Sequence, residues 1–209
     1  MLLTKMSQHK IEDYLEGRFQ DPGTFLEIGA WDGALISQTI WLEKEHGWQG
    51  LCVDPFPRDF SLRSAKLAEV AISRDGKPRE FVKVSIDRRD GGDVSYFSGF
   101  KDTIQTHWKL ISEFCDYEIV EIPTMTIQEL YRKYDLPNYI EFLSVDTEGS
   151  ELEIFRSIDF SVYSYGMIVF EHNESSIIKH GVGEILVTNG YHLLDSLRCD
   201  DIYMRPKNE

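Results

Sequence analysis

The segment Phe25-Leu26-Glu27-Ile28-Gly29-Ala30-Trp31-Asp32-Gly33 constrains this chain most. Thr24 to Ile28 reads as a short strand stopped by glycine. Beyond Gly33, Leu35, Thr39 and Leu42 recur on one helical face with Ile36 and Ile40 beside them, and Gly47 closes the run. Strand, tight glycine turn and helix form the opening unit of an open α/β sheet, and such turns bring backbone N–H groups up to a ligand. The spacing argues against a dinucleotide. A G-x-G-x-x-G turn counted from Gly29 needs glycine at 31 and 34, where this chain has Trp31 and Ala34. An indole there blocks a pyrophosphate, and the Glu27 carboxylate repels it. Acid-x-Gly-x-x-x-Gly suits a cationic ligand instead, and S-adenosylmethionine carries an ammonium and a sulfonium. A tight turn beside a surface acid gives the same pattern with no ligand.

The alternation continues along the chain. Residues 8–19 predict an amphipathic helix through Ile11, Tyr14, Leu15 and Phe19, part of an N-terminal helical stretch over 1–20 that Asp21-Pro22-Gly23 breaks. Gly50 to Pro55 reads as a second strand, 56–67 as a short helix, and Glu69 to Ser73 as a third strand. The stretch 74–118 reads as an insertion: Glu80 to Ser85 and Val94 to Phe97 alternate like two strands of a hairpin around Asp90-Gly91-Gly92-Asp93. Thr126 with Glu129 forms a capping box opening a helix, and Ser150 with Glu153 repeats the pattern before a helix over 150–158. Tyr139 to Val145 and Met167 to Phe170 are apolar strands, and Ile178, Val182, Ile185 and Leu186 mark a helix closed by Asn189-Gly190. Tyr191 to Leu194 and Asp201 to Met204 predict a final hairpin. No linker divides the sequence, so residues 1–209 are expected to form a single α/β domain.

Charge and cysteine content narrow the function classes. Lys plus Arg number 22 and Asp plus Glu 36, a formal net charge of −14, which disfavours nucleic acid. Cys52, Cys115 and Cys199 form no C-x-x-C pair, so neither a zinc site nor a disulfide framework is expected, and Cys52 reads as a buried thiol. No signal-peptide core and no apolar run of about 20 residues is present, which predicts a cytoplasmic protein without a membrane span.

Acids gather where the strands end. Asp54 closes the second strand about 20 residues past the glycine turn, where a carboxylate can accept both hydroxyls of a ribose. Asp146 and Glu148 follow the strand at 139–145, and Glu171-His172-Asn173 ends the next one. The carboxyl edge of an open sheet is where ligands bind, so these groups offer a general base for a hydroxyl. Glu148 and Glu151 serve equally to complement a helix dipole, and His172 serves equally as a structural histidine.

On these blocks the chain resembles the FkbM family of methyltransferases, a branch of the class I S-adenosylmethionine-dependent fold. The matching pieces are Ser7-Gln8, FLEIGAWDG with Ser37 and Thr39, LEK followed by GWQGLCVDP at 42–55, Ala71-Ile72-Ser73, Ser98-Gly99, LSVDTEGSELEIF at 143–155 and VFEHN at 169–173. The segment between Asp54 and Ala71 departs from the pattern by being short. The resemblance implies a Rossmann-like, mostly parallel seven-stranded sheet with helices on both faces and an antiparallel final strand pair. It implies that Gly29, Ala30 and Gly33 hold the methionine part of the cofactor with Glu27 and Asp32 nearby. It further implies that Asp54 takes the ribose, Ala71 and Ile72 border the adenine, and Asp146 lies beside the transferring methyl. Family members act mainly on hydroxyls of small molecules and sugars.

The expected reaction is therefore O-methylation of a small-molecule or sugar acceptor, with Asp146, then His172, then Glu148 as the base. The alternatives are a silent S-adenosylmethionine-binding module and a nicotinamide oxidoreductase, the latter opposed by Trp31. No metal is expected, because Asp146 and Glu148 are alternate residues at a strand end and should point to opposite faces. Residues 81–118 are expected to wall the acceptor side with the loop after Glu171. Tyr96, Phe97, Phe100, His107 and Trp108 lie there among Arg88, Arg89 and Lys101, a mixture suited to a polar or anionic molecule.

Overall fold

The structure is a computed structural model that describes residues 11–19 and 22–206. The first three residues of the helix expected over 8–19, the Ser7-Gln8 piece and Asp21 of the expected break lie outside the described residues.

Helix α1 (Ile11–Leu15) leads to strand β1 (Thr24–Ile28), helix α2 (Ile40–His46), β2 (Gln49–Val53) and β3 (Lys66–Ala68). Two-residue β4 (Ala71–Ile72) and long β5 (Arg79–Asp87) follow. A 3-10 turn at Ser95–Phe97 precedes β6 (Gly99–Phe100), α3 (Trp108–Phe114), β7 (Cys115–Ile122) and β8 (Thr124–Met125). The last part runs α4 (Ile127–Tyr134), β9 (Tyr139–Val145), α5 (Glu151–Ser157), β10 (Ser164–Glu171), α6 (Ser176–Thr188), β11 (His192–Ser196) and β12 (Asp200–Met204).

Seven strands form the main sheet in the order β11-β12-β10-β9-β1-β2-β3. All neighbours pair in parallel except β12, which runs against both β10 and β11. This is the expected fold class, antiparallel final pair included. Strand order reverses between β1 and β9, so a crevice opens at the carboxyl ends of those two strands.

Side chains alternate across the sheet and fill a core on each face. Leu26, Ile28, Val145, Ile168 and Phe170 pack with α4, α5 and α6 through Leu130, Phe155 and Val182. Phe25, Cys52, Phe142, Met167 and Val169 pack with α1 and α2 through Ile11, Leu15 and Leu42. Phe142 is fully buried, and its truncation to Ala is expected to cost about 3–5 kcal/mol. The Thr126 hydroxyl accepts from Glu129 N while Glu129 caps Thr126 N, so the capping box forms as its sequence requires.

Several local expectations are corrected. Residues 56–65 carry no helix; they are an irregular segment, and the third strand of the main sheet is Lys66–Ala68, not Glu69 to Ser73. The helix expected straight after Gly33 begins only at Ile40, because Ser37 and Thr39 turn their hydroxyls to Glu27. Ser150 makes no side-chain cap; Glu153 pairs with Arg79 instead, at 2.8 Å. Val94 to Phe97 is not the second strand of a hairpin. β5 pairs with β7 in antiparallel register, Lys83 opposite Glu118, and with β6 on its other edge. That small sheet stands over the crevice. No helix among the described residues is long and apolar enough to cross a membrane.

Candidate active site

The crevice is a cavity of about 500 Å³, lined by the ends of β1, β2 and β9 and roofed by the β5–β7 sheet. Its floor is set by Gly29, which has φ +89°, and any Cβ there would stand 1.5 Å from the Asp146 carbonyl oxygen. Asp146 N in turn donates to Ile28 O at 2.9 Å, which locks the two strand ends together. Only glycine permits this approach.

Four of the five N–H groups of the glycine turn, all but that of Asp32, are already used. Gly29 and Ala30 donate to Val53 O (2.9 and 3.2 Å), and Gly33 donates to Ala30 O (2.6 Å). Trp31 N donates to Asp54 Oδ2 at 2.8 Å. Ala34 and Leu35 donate to Asp32 Oδ1 at 2.8 and 2.9 Å. A phosphate cradle needs such donors free and convergent, so the turn is not built for a pyrophosphate.

Of the residues expected to hold a cofactor, Gly29, Asp54, Ala71, Ile72 and Asp146 line the cavity. Glu27, Ala30, Asp32 and Gly33 do not. Glu27 is buried beneath the turn, where it accepts from Ser37 Oγ, Gln38 N and Thr39 Oγ1 and pairs with Arg63 at 3.2 Å. Its carboxylate braces the turn from behind. Asp32 caps the turn and borders an outer groove with Pro57 and Arg58. Gly33 packs on Phe60. Asp54 accepts from Trp31 N and from Phe56 N, each at 2.8 Å. Burial pushes its carboxyl up to about 6 against the pull of those two N–H groups. A carboxylate has about four acceptor positions, so Asp54 retains two for a ligand.

Three acids meet beside Gly29. Asp146, Glu148 and Glu171 each place one carboxylate oxygen within 4.8 Å of the others. The alternation argument fails here because the strand ends at Val145 and the chain turns back, with Glu148 at φ +56° and Gly149 at +118°. Asn173 Nδ2 donates to Glu148 Oε2 at 3.1 Å and to Glu171 Oε2 at 2.6 Å. Burial and then the neighbouring charge of Glu148 push Asp146 well above the carboxylate range, while burial and then Asp146 push Glu171 up to about 12. Burial and their mutual repulsion therefore both oppose ionising Asp146 and Glu171 together. The same oxygens are of the kind that holds a hard divalent cation, but two of them already accept the amide N–H groups of Asn173.

The imidazole of this site is His107, not His172. His107 Nε2 stands 3.0 Å from Glu148 Oε2. The Glu148 carboxylate beside it raises its pKa against the opposing effect of burial. His172 is turned away: its Nδ1 accepts from Glu174 N at 3.1 Å, and its Nε2 faces Asp201 at 3.5 Å. Burial lowers its pKa against the pull of Asp201. His107 rests on Phe97 (4.7 Å between centroids), Phe97 on Tyr96 (4.5 Å), and Tyr96 on Trp31 (5.4 Å). The sequence places His107 among the aromatics of the acceptor wall but does not pair it with Glu148, which it reaches only through the tertiary fold. Trp31, Glu148, Asn173 and Glu174 have positive φ, and all follow the ends of β1, β9 and β10. Strain of this kind collects at functional sites.

The roof differs from expectation. Tyr96 and Phe100 line the cavity, but Trp108 stacks on Tyr117 and does not. Arg88 bonds the carbonyls of Glu113 and Cys115, Arg89 pairs with Asp87, and Lys101 with Glu80. The cations that border the cavity are Arg58 and Lys83.

A family model described as Methyltransferase FkbM domain matches residues 27–192. Among solved structures, a precorrin-6y C5,15-methyltransferase from Geobacter metallireducens GS-15 aligns over 99% of this chain and 92% of that chain, with 12% identity and a TM-score of 0.46. No curated protein matches the sequence.

Proposed function

The chain belongs to the FkbM methyltransferase family, and on that premise we propose that it transfers the methyl group of S-adenosylmethionine to a hydroxyl of a small molecule or sugar. The observation that carries this reading is the crevice beside Gly29: four of the five N–H donors of its turn are filled, and carboxyls stand around it at Asp54, Asp146 and Glu148. That arrangement suits a cofactor with positive charge and no phosphate. When bound, S-adenosylmethionine supplies a methyl group already activated on a sulfonium.

The residues of this chain would do the rest. Asp54 is placed to accept ribose hydroxyls through its remaining lone pairs, and Ala71 and Ile72 give an apolar border for the adenine. Asp146, whose ionisation burial opposes, adds a hydrogen-bonding wall. Glu148 lines the cavity just past the end of β9, and it is the group that receives the acceptor's hydroxyl proton. His107 and Asn173 hold it there. Most of the rate enhancement would come from fixing the acceptor oxygen in line with the methyl carbon in a closed cavity.

Incubation with tritiated S-adenosylmethionine and a panel of hydroxyl compounds tests the reading, after calorimetric titration of the cofactor. Binding with label transfer to oxygen is the expected result. Binding without transfer to any compound leaves a silent cofactor-binding module, and absence of binding overturns the proposal.

A further inference from the structure

The electrostatics of the cavity bear on which acceptors it admits, granted the reading of the site as a methyl-transfer centre. Five carboxyl side chains line it; with Asp54 given to the cofactor and the ionisation of Asp146 opposed by burial, Asp116, Glu118 and Glu148 are the ones left to face an acceptor. Two cations line it, and each is already paired. Lys83 Nζ lies 3.2 Å from Glu118 and 4.7 Å from the Phe56 ring, and Arg58 pairs with Asp93. Arg88 and Arg89, whose sequence neighbourhood suggested an anion site, are spent on backbone carbonyls, Asp116 and Asp87.

The backbone offers an anion no better place. Four of the five N–H donors of the glycine turn, those of Gly29, Ala30, Trp31 and Gly33, are filled from within. The turn ahead of α5 is filled too, because Glu151 Oε1 accepts from Thr147 N, Thr147 Oγ1 and Gly149 N at 2.8, 2.9 and 3.2 Å. A phosphate or carboxylate entering the cavity would meet the hydroxyls of Ser95, Tyr96 and Tyr117 but no unpaired cation, and carboxylates of its own sign. An ammonium would find carboxylates, and a neutral polyol would find both kinds of group beside the faces of Tyr96 and Phe100.

We propose that the methyl acceptor is an amine-bearing or uncharged hydroxyl compound, and that the cavity rejects phosphorylated and carboxylated acceptors. Glu118 is a selectivity residue in this arrangement. It is exposed at the rim, it lies opposite Lys83 in the β5–β7 register, and it keeps that one ammonium from meeting an anionic substrate.

The test uses two matched acceptor sets with the full chain: a methyl glycoside with its amino-sugar and its phosphate, and a hydroxyphenyl alcohol with its amine and its phosphate. S-adenosylmethionine binding is measured first by calorimetry. No binding there overturns the cofactor reading, and that outcome is separate from the acceptor result. With cofactor bound, kcat/KM should rank amine at or above neutral, with the phosphate about a hundredfold lower, since like-charge contact costs several kcal/mol. Glu118→Lys should narrow the gap between neutral and phosphorylated members by about tenfold by leaving Lys83 free and adding a cation. A phosphate accepted as well as its neutral partner overturns the proposal. So does failure of every neutral and amine member to bind the cofactor-loaded protein by ligand-observed NMR. A Glu118→Lys protein that folds and binds cofactor but leaves the ratio unchanged removes Glu118 from the selectivity argument and overturns that part.

Discussion

Replacing Arg63 by Met should destabilise the protein more than most surface or cleft changes, although Arg63 does not line the cavity. The guanidinium is buried, with its side chain 1% exposed. Nη1 donates to Gly33 O (2.7 Å), Ser37 Oγ (3.0 Å) and Glu27 Oε2 (3.2 Å), Nη2 to Thr39 Oγ1 (2.8 Å), and Nε to Glu43 Oε2 (3.0 Å). Glu43 also accepts from Ser64 N and Ala65 N, so one cation ties the irregular segment 56–65 to α2 and to the glycine turn. Methionine keeps most of the aliphatic stem, which isolates the loss of charge and donors. Removing one partner of a buried ion pair costs about 3–5 kcal/mol, because the other charge stays buried and unpaired. For a chain of this length that is a fall in Tm of roughly 6–20 °C. Urea denaturation and thermal melts measure it. Adding Glu27→Gln to the Arg63→Met protein should recover part of the loss, since the stranded carboxylate is then neutral, with a coupling of about 0.5–3 kcal/mol. A single Arg63→Met protein within about 1 kcal/mol of wild type would refute the reasoning. The pH dependence follows from Glu43: burial raises its pKa, but hydrogen bonds from Lys44, Ser64 and Arg63 outweigh this and bring it to about 2. A depressed carboxyl pKa contributes stability that is present above its unfolded value and lost as pH falls toward 2, so the wild type should lose this contribution in acid.

Other consequences are open to measurement. Asp54→Ala should lose about 1.5–3 kcal/mol of S-adenosylmethionine affinity by calorimetry, and unchanged affinity in a folded variant removes Asp54 from the ribose site. His107→Gln should abolish a pH-dependent part of the stability: the raised pKa of His107 makes its ion pair with Glu148 stabilising below the unfolded histidine value, and that contribution is lost as pH rises through the folded value. Melts of both proteins across that range should converge at high pH, and parallel curves would rule the pair out. Transfer activity should survive EDTA, because Asn173 already engages Glu148 and Glu171 and burial opposes the ionisation of Asp146; loss that only Mg2+ restores would assign the three acids to a metal. Tyr96→Ala should raise the acceptor KM while Trp108→Ala leaves it unchanged, and the reverse result would place the acceptor outside the cavity.

The architecture was legible because it is periodic. Alternation of two in β1, β9 and β10 and of about 3.6 in α4 and α6 assigns each side chain to a face before any partner is known. The glycine turn, Asp54 and Asp146 could be placed from sequence because each directly follows a strand, and strand ends share one edge of a parallel sheet. The segments 33–39 and 56–65 were misread as helical because their short polar residues answer to distant charges: Ser37 and Thr39 to Glu27, and Ser64 to Glu43.

The sequence by itself thus determined the sheet, its two buried faces and the strand-end position of the crevice. Only the tertiary structure decided what each charge in and around it meets. Glu27 belongs to Arg63 rather than to the cavity, His107 rather than His172 supplies the imidazole, and Arg88, Arg89 and Lys101 are consumed outside the cavity where Arg58 and Lys83 border it. The physical reason is range. Hydrophobic patterning is read one turn or one strand at a time. The partner of a carboxylate is set by strand register and loop path between residues far apart in the chain, which local spacing does not encode.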